Sequence, residues 1–97
     1  MIFKVNQDTC ERIQEVLKKQ ADKPQEVRIY IAGMGWGGPT FGLGLDQSTE
    51  EDLKETIHGI TFIIEKYLYE SMGEISVSWN GYSYSVYATG IGASNCG

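Results

Sequence analysis

The sequence is poor in the residues that build membrane spans and nucleic-acid sites. No apolar run in its 97 residues approaches the roughly 18 that a membrane-spanning helix needs. The net charge is −5, and no Lys/Arg cluster extends beyond Lys18-Lys19. Binding to a phosphate backbone is mainly electrostatic, so this charge balance argues against it. We therefore expect no membrane span and no nucleic-acid partner.

Residues that carry catalysis are equally scarce. The one histidine, His58, lies in an apparent hairpin turn with no serine or cysteine nucleophile beside it in sequence. The acids Glu50-Glu51-Asp52 do not match a calcium-loop pattern and are expected to form a solvated surface. The glycine-rich stretch Gly33–Pro39 lacks the lysine of a phosphate loop and opens no helix. We expect a protein that is not an enzyme.

What is present is the composition of one soluble globular domain. The apolar fraction is 41% and the charged fraction 22%, and we expect a single domain over residues 1–97. No long apolar signal-like segment follows Met1, so export is not expected. The two cysteines, Cys10 and Cys96, form no CxxC pair and would both remain thiols in a reducing compartment. The predicted location is the cytoplasm.

Hydrophobic periodicity predicts an α+β fold that is mostly β. A helix capped by Asn6 is predicted to run to about Ala21, with Cys10 on its buried face, and a short second helix over 66–72 is predicted to end at Gly73. The stretch Gly33–Pro39 is interpreted as a glycine loop between strands. Strands are predicted at 2–5, 27–31, 41–45, 53–57 and 60–65, the last two joined by a turn at His58-Gly59.

A further hairpin is predicted around Asn80-Gly81, the preferred pair of a two-residue type I′ turn. Such a turn sets Trp79 opposite Tyr82 and Val77 opposite Tyr84. Serines alternate with these apolar residues and are expected to form a solvated face. From Ala88 the sequence consists mainly of small residues, and the glycine-rich segment 88–97 is predicted to be a flexible tail.

This order of features resembles the A-type iron–sulfur carriers, the HesB-like family. In that family a cysteine lies in a glycine loop before a strand that begins with an aromatic residue, and a Cys-Gly-Cys motif follows near the C-terminus. Here Gly35-Trp36-Gly37-Gly38 followed by Phe41 matches the loop, and Cys96-Gly97 matches the start of the terminal motif. The resemblance implies a HesB-like mixed β-sandwich of small sheets with an N-terminal helix and a short second helix.

The resemblance also implies a site and a role. Trp36 occupies the position of the family's first thiolate, and an indole N–H is a donor only and cannot bind iron. Cys96 is then the remaining metal ligand, with Gly35, Gly37 and Gly38 supporting the site. The implied role is iron–sulfur cluster biogenesis, in which a cluster or iron is held weakly between subunits of a homo-oligomer and exchanged with donor or acceptor proteins.

Two explanations of the missing thiolates stay open. In the first, the chain is a divergent HesB-like protein. Its Gly33–Pro39 loop could then be the binding surface of a protein-interaction module without metal, with Trp36 as an aromatic anchor. In the second, this sequence differs from the natural gene at position 36 and after Gly97. The iron content of the purified protein separates a carrier from an interaction module.

Overall fold

The computed structural model describes residues 2–36 and 38–88, which form two helices and seven strands. The α+β, mostly β class predicted from the sequence is confirmed. In chain order the elements are β1 (Phe3–Val5), α1 (Gln7–Lys19), β2 (Glu26–Gly35), β3 (Gly38–Asp46), β4 (Asp52–Ile57), β5 (Ile60–Glu65), α2 (Lys66–Met72), β6 (Ile75–Trp79) and β7 (Tyr84–Ala88).

The strands form two small mixed sheets. The four-stranded sheet has the order β3-β2-β5-β4, in which β2 and β5 are parallel and the other pairs antiparallel. The three-stranded sheet has the order β1-β6-β7, in which β1 and β6 are parallel. Both sheets and α1 contribute to one hydrophobic core, where the rings of Phe3 and Phe62 lie 5.5 Å apart. The Glu55 carboxylate links the sheets, because it accepts hydrogen bonds from the backbone N–H groups of Ile2 and Phe3.

Helix α1 begins as predicted and ends slightly earlier. The Asn6 side chain accepts a hydrogen bond of 2.8 Å from the backbone N–H of Thr9, which confirms the cap. Cys10 and Ile13 are buried on the apolar face, as the spacing predicts. The helix ends at Lys19 rather than Ala21, because Gln20 leaves the helical conformation while its N–H still bonds to the last turn.

The β4–β5 hairpin and α2 also agree with the sequence-based prediction. His58 and Gly59 form the turn with positive φ angles of 48° and 83°. Strand β5 lies between β2 and β4, and Phe62 and Ile64 are fully buried. Gly73 ends α2 with a φ of 80°, a conformation that favours glycine.

The predicted register of the β6–β7 hairpin is wrong by two residues. Trp79 lies opposite Tyr84 and Val77 opposite Val86, so residues 80–83 form a four-residue loop. The Asn80 side chain accepts hydrogen bonds of 2.9 Å from the backbone N–H groups of Tyr82 and Ser83, and this turn replaces the type I′ geometry. A shift of two residues keeps each paired side chain on its face, so the apolar face is as predicted except for Tyr82, which lies in the loop and is 91% exposed. Ser76 on the other face is nonetheless buried, with 9% exposure, because β6 is the central strand.

The glycine-rich stretch is largely strand rather than loop. Strand β2 continues to Gly35 and β3 begins at Gly38, where these two glycines pair directly. The register shifts between Ile31 and Gly33, which leaves Ala32 as a bulge. Alternating hydrophobicity stops at this point, but the ladder to β3 continues through backbone groups that glycine also supplies.

The predicted flexible tail over residues 88–97 lies mostly outside the described residues. Ala88, taken as the start of the tail, is the last residue of β7 and lies opposite Ile75. The rest of the predicted tail, 89–97 with Cys96, lies outside the described residues, and so does Gly37.

Candidate functional site

The end of the β2–β3 hairpin is the candidate site. Because Gly35 pairs with Gly38, only Trp36 and Gly37 lie between the two strands. The Trp36 side chain is fully exposed, and Met34 on the adjoining strand is 75% exposed. Position 36 is therefore open to a metal-bearing or protein partner.

Glycines in this hairpin differ in what surrounds them. A Cβ atom at Gly42 would lie 2.8 Å from the ring of Tyr30, and one at Gly44 would lie 3.3 Å from it. The space that glycine leaves open at these two positions is thus occupied by the protein's own Tyr30. At Gly33 and Gly35, by contrast, a Cβ atom would meet nothing within 4 Å.

A buried ion pair anchors the base of the hairpin. The Arg28 guanidinium donates two hydrogen bonds of 2.6 and 2.7 Å to the carboxylate of Asp52 and one of 2.6 Å to Asp46. The side chain of Asp52 is 2% exposed and that of Arg28 is 17% exposed. Bidentate pairing of this kind is the strong form of an ion pair, so it ties the 46–52 connector to the sheet.

Hydrogen bonds at and beside this anchor lower the pKa values of three carboxyl groups. The hydrogen bonds from Arg28 lower the pKa of Asp52 to about 2, against the opposing effect of burial. The pKa of Asp46 is lowered first by the backbone N–H of Gln47 and then by Arg28. The pKa of Glu26 is lowered mainly by the backbone N–H of Ser48.

Sequence reasoning missed this anchor. Asp52 was expected to belong to a solvated acidic surface, and that expectation is wrong because its carboxylate is buried against Arg28. The available signal was Arg28 itself, a single charge in the otherwise apolar strand 27–31. A buried cation needs a carboxylate partner, and the nearby connector offers several.

The hairpin above this anchor is uncharged. From Ile29 to Leu45 the chain has no Asp, Glu, Lys or Arg, although its net charge is −5. Any partner of the hairpin therefore meets backbone groups, aromatic rings and aliphatic side chains. A partner of this hairpin would be recognised by shape and apolar contact rather than by ion pairing.

The described residues bring no metal site together. Within 2–36 and 38–88, no group of three or more His, Cys, Asp or Glu side chains is placed to hold a metal ion. Cys10 is 1% exposed, and its thiol donates to the carbonyl of Ile57 at 3.6 Å. Burial raises the pKa of this thiol, so it is a poor ligand, as the core position predicts. The structure places Trp36 and Gly35 at the hairpin tip and Gly38 beside it, while Cys96 lies outside the described residues.

An apolar groove that the sequence did not predict runs beside the hairpin. It has a volume of about 410 Å³ and lies between β2 and α2. Tyr30 and Ile31 line one wall, and Tyr67, Leu68 and Met72 the other.

Neither helix in the described part of the chain has the length and hydropathy of a membrane span.

Three solved structures resemble this fold closely. A protein from Aquifex aeolicus, determined by solution NMR, is 21% identical and superposes with a TM-score of 0.67 over 89% of this chain and 90% of its own. Escherichia coli SufA, which is involved in the biosynthesis of iron–sulfur clusters, is 15% identical, with a TM-score of 0.72 over 92% of this chain and 80% of its own. IscA with a [2Fe–2S] cluster is 16% identical, with a TM-score of 0.68 over 90% and 82%.

No protein-family model and no curated protein matches the sequence significantly. The structural likeness nevertheless extends over about nine-tenths of the chain in each comparison. The chain therefore has the HesB/IscA-like fold that the sequence pattern indicated, the fold of SufA and IscA.

Proposed function

We propose that this protein acts in iron–sulfur cluster biogenesis, holding a cluster or iron between the subunits of a homo-oligomer without catalytic turnover. The observation that carries the proposal is the fold, which matches SufA and IscA over about nine-tenths of the chain. The exposed hairpin tip at Trp36 supports it, because the resemblance assigns the first ligand to that position.

The donor set makes the proposed binding weak. Iron–sulfur clusters are usually held by four thiolates, and this chain has two cysteines, of which Cys10 is buried. Cys96 is the remaining candidate, so two subunits supply two thiolates. Solvent or a small thiol completes the coordination, and we propose that cluster donors and acceptors meet the site in the cytoplasm, where thiols stay reduced.

Anaerobic reconstitution tests this proposal. The protein is incubated with iron and sulfide, with and without glutathione, and the bound iron and sulfide per chain are measured after desalting. We expect low occupancy that rises with glutathione and is lost in Cys96→Ser. The matched control is Cys10→Ala, which removes the buried thiol and is expected to keep the occupancy of the unchanged protein.

The outcomes separate the two functions that the sequence left open. Equal iron content in the unchanged protein and in folded Cys96→Ser would contradict the proposed role of Cys96. Complete absence of iron under every condition would favour the second candidate, a metal-free interaction module. The full exposure of Trp36 favours that candidate, since tryptophan is a preferred anchor residue in protein interfaces.

A further inference from the structure

The β6–β7 loop, residues 80–83, holds an asparagine side chain next to a glycine backbone nitrogen. All of its residues are exposed, and a Cβ atom at Gly81 would meet nothing within 4 Å. Attack on the carbon of a side-chain amide needs a nearby nucleophile and open space. It also needs hydrogen-bond donors to the amide oxygen, which becomes negative as the new bond forms. The loop supplies all of these.

Two backbone donors bind the amide oxygen of Asn80. Its Oδ1 accepts hydrogen bonds of 2.9 Å from the N–H groups of both Tyr82 and Ser83. Successive N–H groups in a turn form a small concavity that binds anions. Here they polarise the side-chain carbonyl of Asn80, and they stabilise the negative charge that develops on Oδ1 when a nucleophile attacks Cγ.

The backbone nitrogen of Gly81 is the nucleophile next to that carbon along the chain. The hydrogen bond from Tyr82 folds the Asn80 side chain toward this nitrogen, because Gly81 lies between the two bonded residues. In the described part of the chain the N–H of Gly81 donates no hydrogen bond, so no partner has to be released. Gly81 has no side chain to hinder the approach, and its φ of 100° is one that favours glycine.

We propose that Asn80 is a site of spontaneous deamidation, kept reactive by the folded loop. The Gly81 nitrogen forms a bond to Cγ of Asn80, and the bond from Cγ to the side-chain nitrogen breaks. The proton of the Gly81 nitrogen passes through solvent to this leaving group, which departs as ammonia, and no atom is oxidised or reduced. Water then opens the resulting succinimide. Opening at Cγ gives aspartate, and opening at the backbone carbonyl carbon gives isoaspartate.

The two products affect the loop differently, although both add a negative charge. In aspartate a carboxylate oxygen still accepts the hydrogen bonds from Tyr82 and Ser83. In isoaspartate the main chain runs through the former side chain and is longer by one carbon, so both hydrogen bonds are lost beside the Trp79–Tyr84 pair of the hairpin. Deamidation at Asn80 therefore changes the stability of the β6–β7 hairpin. The inference does not depend on iron–sulfur binding, and its failure leaves the proposed function unaffected.

Mass spectrometry of the aged protein tests the inference. The full chain is incubated in mildly alkaline buffer, folded in one sample and unfolded by guanidinium chloride in another. Peptide mapping then measures aspartate and isoaspartate at position 80. We expect both products, with a rate in the folded protein within about tenfold of that in the unfolded chain. Asn80→Asp has no amide at this position, so the same peptide should show no gain in mass.

Asn6 is the matched internal control. Its Oδ1 also accepts a backbone hydrogen bond, of 2.8 Å from Thr9, and its side chain is exposed. The following residue, Gln7, has a side chain that crowds the attacking nitrogen and lies in the first turn of α1. In the folded protein, Asn6 should therefore deamidate more slowly than Asn80 by about tenfold or more.

Absence of both products at position 80 in the unchanged protein would overturn the inference. So would a folded-state rate more than about tenfold below that of the unfolded chain, because the hydrogen bonds on Oδ1 would then protect the amide. Equal rates at Asn80 and Asn6 would overturn it as well. The separated isoaspartate form should denature at a lower urea concentration than Asn80→Asp, and equal midpoints would contradict the assigned loss of hydrogen bonds.

Discussion

Asp52 shows how one side chain determines the position of a whole connector. Its carboxylate accepts two hydrogen bonds from Arg28 and another from the backbone N–H of Thr49. The same carboxylate is almost completely buried. Removing its charge therefore leaves the Arg28 guanidinium buried and partly unpaired, which is costlier than the loss of a surface ion pair.

We predict that Asp52→Asn lowers the free energy of unfolding by about 2 to 3 kcal/mol, as expected for one member of a largely buried pair. Urea denaturation monitored by tryptophan fluorescence measures it. Glu50→Gln is the matched control, because Glu50 is an exposed acid in the same connector and its loss should change stability by less than about 0.5 kcal/mol. Equal effects of the two substitutions would argue against the anchor.

The pH dependence of stability provides a second test of Asp52. Its folded-state pKa of about 2 lies below the ordinary value of 3.8, so the folded state binds the proton less readily than the unfolded state. The contribution of the carboxylate to stability is fully present well above the ordinary value of 3.8 and is lost progressively as the pH falls from about 5 toward 2. The stability difference between the unchanged protein and Asp52→Asn should shrink over that window. A difference that stays constant would mean that the Asp52 charge is not responsible.

At the scale of elements, the β2–β3 hairpin combines glycines with and without a steric role. Tyr30 covers Gly42 and Gly44, whereas Gly33 and Gly35 have open space around them. We predict that Gly42→Ala lowers stability by about 1 kcal/mol, because the new methyl group displaces a partly exposed ring.

Two comparisons check this interpretation in thermal or urea unfolding. Gly33→Ala should be neutral or stabilising by up to about 1 kcal/mol, because alanine reduces the entropy of the unfolded chain and meets no obstacle. In a Tyr30→Ala background the cost of Gly42→Ala should disappear, since the ring it displaces is absent. A cost that persists there would show that Tyr30 is not the cause.

Local signals predicted the elements better than the connections between them. The Asn6 cap, the turn at His58-Gly59 and the stop at Gly73 follow from backbone chemistry within a few residues, and all three are confirmed. The β6–β7 register failed although Asn80-Gly81 is a strong turn signal, because the Asn80 side chain stabilises a longer loop. Sequence alone does not reveal which of two local hydrogen-bonding patterns the strands will favour.

The predicted lengths of β2 and β3 were too short for a related reason. Hydrophobic alternation identifies strands by their buried face, and it ends where β2 leaves the core near Ile31. Beyond that residue the strands are held by backbone pairing, to which glycine contributes as well as any other residue. The groove between β2 and α2 could not be predicted, because it depends on where β5 ends relative to β2 in space.

At the scale of the whole molecule, the fold was predicted from a resemblance that covers nearly the entire chain, and the structural comparisons agree with it. The candidate metal site agrees with the resemblance less completely than the fold does. The β2–β3 hairpin is present, but the position that the resemblance assigns to the first ligand carries Trp36, and the described residues bring no group of three or more His, Cys, Asp or Glu together to hold a metal ion. The chain therefore combines the fold of SufA and IscA with a hairpin-tip residue that cannot bind iron.

The most direct measurement restores the ligands and records the visible spectrum after anaerobic reconstitution with iron and sulfide. The variant combines Trp36→Cys with one cysteine appended after Gly97, and the unchanged protein is the reference. Pairing of Gly35 with Gly38 sets the backbone path around position 36, so the substitution changes the ligand and leaves the hairpin intact. We predict thiolate-to-iron charge-transfer absorbance in the restored variant and little in the unchanged protein. A folded restored variant that stays colourless, or an unchanged protein that binds a full complement of cluster, would contradict the account.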